Sequence, residues 1–508
     1  MDAGGDLMLW IDDLIKNKPV AAKALIDHDG SELSYGDLAA AVEKCAEVMQ
    51  DLGVRPGDRV VVVAENSAVL VAVFLATARL RAWCVPANAR ITGHELDAIC
   101  ADAGPRLTVF TCDASVDAKA HAERLGASEG PQILGRALIV LTDPLALAEP
   151  VHDDPAQQVA SLIYTSGSTG SPKGVMLSHG NLMFNALTTA KARGFSPEDV
   201  IVLALPSTHI MALSTVLLAG MAGGATVRLQ ARFTAQGLLA ALTDGGTVMT
   251  GVPPMFEQML RHIEVAATPF HAPRLRLLGA GGAPLDPALK MRVEARFGVT
   301  LNNGYGLTEA APGVSSTVFG PERNDGSIGY VYPHCTVRID APGKDGVGEL
   351  LFKGPGVMLG YYHNPQATAE VMTSDGYLRT GDLARMDADG ALHLVGRSKE
   401  LIIRSGFNVY PPEVEAALMA CPGVVQAAVA GRRVDGNEEV LAFVTHDGST
   451  DTDAIALRLR DTLAPYKRPQ QIIVVSEMPL TSAGKIRKPA LLEQMTIGRA
   501  DLGAVNSD

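Results

Sequence analysis

Residues 160–174 read ASLIYTSGSTGSPKG, an apolar run that passes without a break into a loop of glycines, hydroxyls and one lysine. A short continuous apolar run is the pattern of a strand covered on both faces. The polar half has little to bury. Glycine lets backbone approach a ligand closely and adopt positive φ, and clustered N–H and O–H donors suit an anion. A phosphate-cradling loop is the first reading. It is not the GxxxxGK[ST] type, in which a hydroxyl directly follows the lysine. Here Pro172 precedes Lys173 and Gly174 follows it, so a GTPase or ordinary ATPase is disfavoured. A Gly/Ser linker is the plain alternative, but a buried strand leads in and a helix-like stretch, SHGNLMFNAL, follows.

Working outward, helix and buried strand alternate. After Ser34, apolar residues Tyr35, Leu38, Ala39, Val42, Cys45, Ala46, Met49 and Leu52 recur at steps of three and four. Gly53 closes this amphipathic helix and a Pro56-Gly57 turn follows. DRVVVVAEN, TARLRAWCVPAN and LTVFTCD continue the theme. The pattern predicts an α/β fold: a large N-terminal domain of layered, largely parallel sheets and helices. Near residue 340, VRIDAPGKDGVGELLFKGPGVMLGYY turns to short strands and Gly-rich turns, a β-rich submodule. From about Glu400, ELIIRSGFNVYPPEVEAALMACPGVVQAAVAG reads strand, loop, helix, strand, with Pro411-Pro412 opening the helix. The expected domains are 1–396, a hinge at 397–399, and a small mobile α+β domain over 400–508, of ordinary domain size. The last dozen residues read as a frayed end.

Bulk properties bound the function. A chain of 508 residues calls for two or more domains. A formal net charge of −13 without a long basic run argues against nucleic-acid binding. Six cysteines without CxxC spacing fit a reducing cytoplasm and no structural zinc. The start, MDAGGDLMLW, is unlike a signal peptide, and the longest apolar stretch, MALSTVLLAGMAGGATV, falls short of a membrane span.

The loop YTSGSTGSPKG resembles the signature of the adenylate-forming superfamily of acyl- and aryl-CoA ligases, luciferases and peptide-synthetase adenylation domains. Further matches follow in the family's order: NNGYGLTE (302–309), YLRTGDLA (377–384), GRSKELIIRSGFNVYPPEVE (396–415) and PLTSAGKIRK (479–488). The resemblance covers nearly the whole chain. It implies a two-step reaction, in which a carboxylate attacks the α-phosphate of ATP and a thiol, usually that of coenzyme A, then displaces AMP.

It also implies roles for residues. Thr165, Ser166, Gly167, Ser168, Thr169 and Gly170 would wrap the β- and γ-phosphates, with Lys173 as a further candidate or a plain surface cation. Tyr305 would flank the adenine, with Asn303 near its edge and Gly304 and Gly306 beside it. Gly281, Gly282 and Ala283, in GAGGAPL (279–285), resemble the opposite wall. Thr308 would face the α-phosphate and Glu309 would hold Mg²⁺, for which one carboxylate suffices. Asp382 resembles the ribose-binding acid, with Arg397 as companion. Lys485 matches the lysine that offsets charge on the reacting oxygens during adenylation. Rotation about Lys399 would then withdraw it, and Gly406 would line the coenzyme A tunnel. Lys467 and Arg468 are available cations without a firm role.

His209, in LPSTHIMAL, matches a position beside the acyl carboxylate; a packed core histidine is the alternative. Ala310, Ala311 and Gly313 are small enough to leave volume for a medium-chain fatty or an aryl, cinnamic-type acid. No cationic residue is apparent near them, which disfavours a dicarboxylate such as malonate. The expectation is an AMP-forming acyl-CoA ligase using ATP, Mg²⁺ and coenzyme A. The rivals are an enzyme that loads a carrier-protein thiol, a luciferase-like relative, and a catalytically dead nucleotide binder. A homodimer is compatible with this reading. So is a lysine acetyltransferase acting on Lys485, whose charge it would remove.

Overall fold

The computed structural model describes residues 10–165, 172–266, 270–343, 345–404, 407–434, 437–449, 451–480 and 486–502, with backbone alone from 496. Ser166, Gly167, Ser168, Thr169, Gly170, Gly406 and Lys485 lie outside the described residues. The chain forms two compact units. One comprises 1–337, 352–378 and 390–392; the other comprises 338–351, 379–389 and 393–508.

The first unit is built on two large sheets. In the eight-stranded sheet, Arg59–Ala64 lies between Trp83–Asn88 and Leu107–Phe110, all parallel. Every residue of these three strands is buried. That is why they read as unbroken apolar runs rather than alternating ones. The helix Tyr35–Asp51 begins at Ser34, whose hydroxyl accepts from the Asp37 amide while Asp37 reaches back. This reciprocal cap satisfies two end donors. Gly53, at φ +91°, ends the helix in the left-handed region that glycine favours. The edges of the sheet are antiparallel: Val159–Thr165 pairs with Lys173–Ser178, and Gly360–Tyr361 pairs beyond it.

In the nine-stranded sheet, Val200–Leu203 has Thr226–Leu229 on one side and Val248–Gly251 on the other. The chain goes first to Thr226–Leu229, then crosses to Val248–Gly251 and continues outward through Leu277–Ala280 to Leu301–Gly306. All these strands are parallel. The order therefore reverses direction at Val200–Leu203. Open α/β sheets bind ligands beyond the carboxyl ends of the strands at such a reversal. The segment leaving Val200–Leu203 contains His209.

The β-rich stretch forms a four-stranded sheet in the order Thr336–Asp340, Gly348–Lys353, Leu378–Met386, Leu392–Arg397. The C-terminal segment forms a sheet of Val424–Val434, Asn437–His446 and Gln471–Val474. Helices Pro411–Met419 and Thr452–Thr462 accompany it, and Val414, Leu418, Ile455 and Leu459 join its core. A last helix, Lys488–Leu502, runs into the stretch expected to fray. All six cysteines are free thiols. No described helix is long and apolar enough to cross a membrane.

Candidate active site

Thr165 and Lys173 stand opposite each other where the signature segment leaves and rejoins its sheet. Both are half-buried. The Lys173 ammonium lies 5.0 Å from the centre of the Tyr361 ring, within cation–π range. Tyr361 arrives through the sheet, paired with Val175, and is buried. Its hydroxyl donates to Glu309 Oε1 at 2.7 Å. Burial, and then the Glu309 carboxylate, push the Tyr361 phenol well above its ordinary pKa, so it acts as a donor. Tyr361 thus ties the end of the signature segment to the acid of NNGYGLTE. Sequence reasoning passed over it because an aromatic in MLGYY reads as an ordinary strand residue.

Glu309 sits in the single turn Thr308–Ala310 that follows the strand Leu301–Gly306. Its carbonyl accepts from the Met358 amide at 2.9 Å. Glu309 and Thr308 are half-buried, open enough to meet a ligand. Gly306 is required: a Cβ there would lie 2.0 Å from the Pro312 carbonyl oxygen. Tyr305 is half-buried. Asn303 is buried, and its amide donates to the Ser327 carbonyl at 2.9 Å. Its own carbonyl accepts from Ser316 Oγ at 3.0 Å, so Asn303 braces the strand it stands on.

Gly281 and Gly304 approach closely. A Cβ on Gly281 would lie 3.1 Å from Met211 Sδ and 3.3 Å from the Gly304 carbonyl oxygen. Gly282 has φ +77°, and Ala283 is exposed. Met211 opens a π-helical segment, Met211–Leu218, of the rare kind that recurs at functional sites. His209, half-buried, stands just before it, and its carbonyl accepts from the Leu213 amide at 3.0 Å. Met211, Gly281, Gly282 and Gly304 therefore gather at the carboxyl ends of the parallel strands, beside the segment that carries His209.

The small residues of GLTEAAPG do not all open space. Ala310 and Ala311 are buried, and a Cβ on Gly313 would fall 2.4 Å from Tyr332 Cζ and 2.6 Å from Asn185 Oδ1. The room that Gly313 leaves is filled by Tyr332, not held for a ligand.

In the second unit, Asp382 is only 4% exposed, and Arg397 Nε lies 2.9 Å from its Oδ1. Gly381, at φ +71°, turns the chain ahead of Asp382, and the Thr380 hydroxyl accepts from the Asp382 amide at 3.1 Å. These two predicted partners are brought together. Lys399 is exposed in the turn Ser398–Glu400. Beyond the undescribed 481–485, Lys488 pairs with Glu400 at 2.7 Å and Glu415 at 2.9 Å. Burial alone would lower its pKa, but the two carboxylates outweigh it and the net shift is upward. Lys467 pairs with Glu413 at 2.5 Å, and Arg468 donates to the Leu463 and Arg460 carbonyls. Both are engaged within their own domain.

A cation beside the signature segment, a carboxylate that accepts from a buried phenol and glycines gathered at a strand reversal suit a nucleotide-handling α/β enzyme. Residues 12–362 match the model of the AMP-binding enzyme family and residues 413–485 that of its C-terminal domain, and the chain belongs to this family. A feruloyl-CoA synthase from an Amycolatopsis species is 36% identical over 480 residues, 91% of this chain and 94% of that protein. ATP-bound MatB from Rhodopseudomonas palustris is 30% identical, with a TM-score of 0.84 over 96% of this chain and 98% of its own. The O-succinylbenzoate coenzyme A synthetase MenE from Bacillus subtilis, in complex with ATP and a magnesium ion, is 26% identical. Its TM-score is 0.80, over 95% of this chain and 99% of its own.

Proposed function

We propose that this protein is an AMP-forming acyl-CoA ligase acting on an aryl, cinnamic-type or medium-chain carboxylic acid. The observation that carries the reading is the Lys173–Tyr361–Glu309 linkage, which joins two of the family's motifs at one place. The relatives named as CoA ligases and the ATP-bound neighbours support it.

In the first step a carboxylate oxygen of the acid attacks the α-phosphorus of ATP, and pyrophosphate leaves. Two anions must meet, so the protein's part is to hold both and to offset charge on the reacting oxygens. Thr165 and Lys173 would hold the outer phosphates, together with Ser166, Gly167, Ser168, Thr169 and Gly170. Thr308 would face the α-phosphate. Glu309, half-buried and oriented by Tyr361, fits a magnesium ligand, because Mg²⁺ uses one or two carboxylates beside the phosphates. Bound there, Mg²⁺ would neutralise charge on the phosphate oxygens. Tyr305, Gly281, Gly282 and Ala283 would enclose the adenine, Asp382 with Arg397 would hold the ribose, and His209 would meet the acid. Lys485 would approach the reacting oxygens. In the second step the coenzyme A thiol attacks the acyl carbon and AMP leaves. Rotation of the C-terminal domain about Lys399 would replace Lys485 by the Gly406 face.

The test is AMP formation from ATP and Mg²⁺ over linear acids, benzoates and cinnamates, with and without coenzyme A. Coenzyme A-dependent AMP on one group of acids is expected. Pyrophosphate release that coenzyme A does not affect would point to another acceptor, and no turnover would refute the reading.

A further inference from the structure

The helix His179–Ala192 follows directly on the strand Lys173–Ser178, which leads away from the signature segment. Asn181, Asn185 and Thr189 recur on it every four residues and share one face. All three are buried, although such faces are ordinarily apolar. Each ties the helix to a different part of the unit. The Asn181 side-chain amide donates to the Pro355 and Val357 carbonyls at 2.8 and 3.0 Å, and Met358, the next residue, donates its backbone amide to the Glu309 carbonyl. Asn185 Nδ2 donates to Ser214 Oγ at 2.7 Å, inside the π-helical segment Met211–Leu218. Thr189 Oγ1 lies 3.2 Å from the Tyr332 hydroxyl. At the helix end the Arg193 guanidinium donates to Thr250 Oγ1 at 2.9 Å, beside Gly279.

The Asn185 contact falls where the π-helical segment changes its turn. Before Ser214, the Leu213 amide donates to the His209 carbonyl, four residues back, as in an α-helix. After it, the Ala219 amide donates to the Ser214 carbonyl, five residues back. Ser214 thus carries the wide turn, and it is fully buried. A π-turn holds one residue more than an α-turn. Relaxing it would turn the residues before Ser214 by about 100° relative to those after it, at 3.6 residues per turn. Those residues include Met211, whose sulfur stands against Gly281, and His209. Packing does not explain an asparagine at 185. Its Oδ1 is buried with no hydrogen-bond partner among the described residues, which is costly. Gly313 is needed to admit it, since a Cβ there would lie 2.6 Å from that oxygen. Leucine has about the same shape, favours helix more and would bury no unpaired atom.

We propose that Asn185 is a positioning residue for the acid: its bond to Ser214 holds the wide turn and so fixes Met211 and His209 where the acid is recognised. The proposal rests on the ligase reading above, with the reacting carboxylate near His209. Asn185 touches no substrate itself. It acts through Ser214, and the asparagine is kept at a cost in packing because the turn it holds sets the acid's place.

The test breaks the bond from either side, with Asn185→Leu and Ser214→Ala, in the full chain. AMP formation with ATP, Mg²⁺ and coenzyme A is followed over linear acids, benzoates and cinnamates. In each variant kcat/KM for the acid that the wild type uses best should fall about tenfold, the scale of one buried hydrogen bond. The loss should lie in KM for the acid and change the ranking of acids, while KM for ATP stays put. The melting temperature of Asn185→Leu should equal or exceed that of the wild type. The double variant should lose no more than the worse single one, because both changes break the same bond. Acid KM and ranking unaltered in both variants, a rise in acid KM matched by one for ATP, or losses that add in the double variant would overturn the proposal. Where Asn185→Leu does not fold, Ser214→Ala, which deletes one oxygen, decides by the same acid and ATP profile. A wild type that turns acids over, with variants that match it, refutes the role of Asn185 and leaves the ligase reading standing. A wild type that forms no AMP with any acid fails the ligase reading, and this proposal falls with it.

Discussion

Tyr361→Phe deletes one oxygen and keeps the ring over which Lys173 lies, so it isolates the hydrogen bond to Glu309. That bond is 2.7 Å long and ends on a carboxylate, the charge-assisted kind. Such bonds contribute about 1.5–3 kcal/mol. Glu309 is half-buried, so water recovers part of the loss, leaving roughly 1.4 kcal/mol, or about tenfold in an equilibrium. If Glu309 holds Mg²⁺, its orientation by Tyr361 should appear in metal dependence, where lost supporting partners typically cost about 10–100-fold. The expected result is a roughly tenfold rise in the Mg²⁺ concentration for half-maximal AMP formation, with little change in melting temperature. Glu309→Gln, measured beside it, should shift the curve further. A superimposable Mg²⁺ curve for Tyr361→Phe, with Glu309→Gln shifted, would show that Tyr361 does not act through Glu309. If neither variant shifted it, Glu309 would not be the metal ligand.

Three other expectations follow from named contacts. Asp382→Asn keeps the shape but removes the charge paired with Arg397, and should weaken ATP binding by about tenfold or more by calorimetry; unchanged affinity would remove Asp382 from the site. Gly313→Ala places a methyl 2.4 Å from Tyr332 Cζ and should cost about 1–3 kcal/mol of stability; an unaltered urea midpoint would contradict the packing. His179 is fully buried, with Nδ1 accepting from the Ile11 amide at 3.3 Å, and burial, then Arg81, lower its pKa to about 3. Because the folded-state pKa lies below the unfolded one, protons bind the unfolded chain preferentially. Stability should then fall as pH drops from about 6.5 towards 3, by up to roughly 1.4 kcal/mol per pH unit. Melting curves of His179→Asn should lose that part of the acid sensitivity, and an identical pH slope would exclude His179 as its source.

Much of the architecture was legible because its causes are local. Arg59–Ala64 reads as a buried strand since every position after Arg59 is apolar, and Ser34 reads as a helix start since its hydroxyl and Asp37 complete a cap within one turn. Gly306 and Gly281 stood out in the sequence as places for a ligand, and the protein contacts there were not legible: a Cβ would meet the Pro312 carbonyl oxygen at Gly306 and press on the Met211 sulfur at Gly281. Non-local contacts were not legible. Tyr361 meets Glu309 only because the sheet sets residue 361 beside 175. Arg193, at a helix end, looks like the cation that often closes a helix, and nothing nearby in sequence marks Thr250 and Gly279 as its neighbours. Gly313 was misleading in the same way: it makes room for Tyr332 rather than for substrate.

The central claim is that a carboxylate oxygen of the acid attacks the α-phosphorus of ATP before a thiol takes the acyl group. The most direct measurement supplies the acid with both carboxylate oxygens labelled with ¹⁸O and follows the label by mass spectrometry through a coenzyme A-dependent turnover. The account predicts one labelled oxygen in AMP, one in the acyl-CoA carbonyl and none in pyrophosphate. AMP without label, or ADP as the product with label in phosphate, would contradict it.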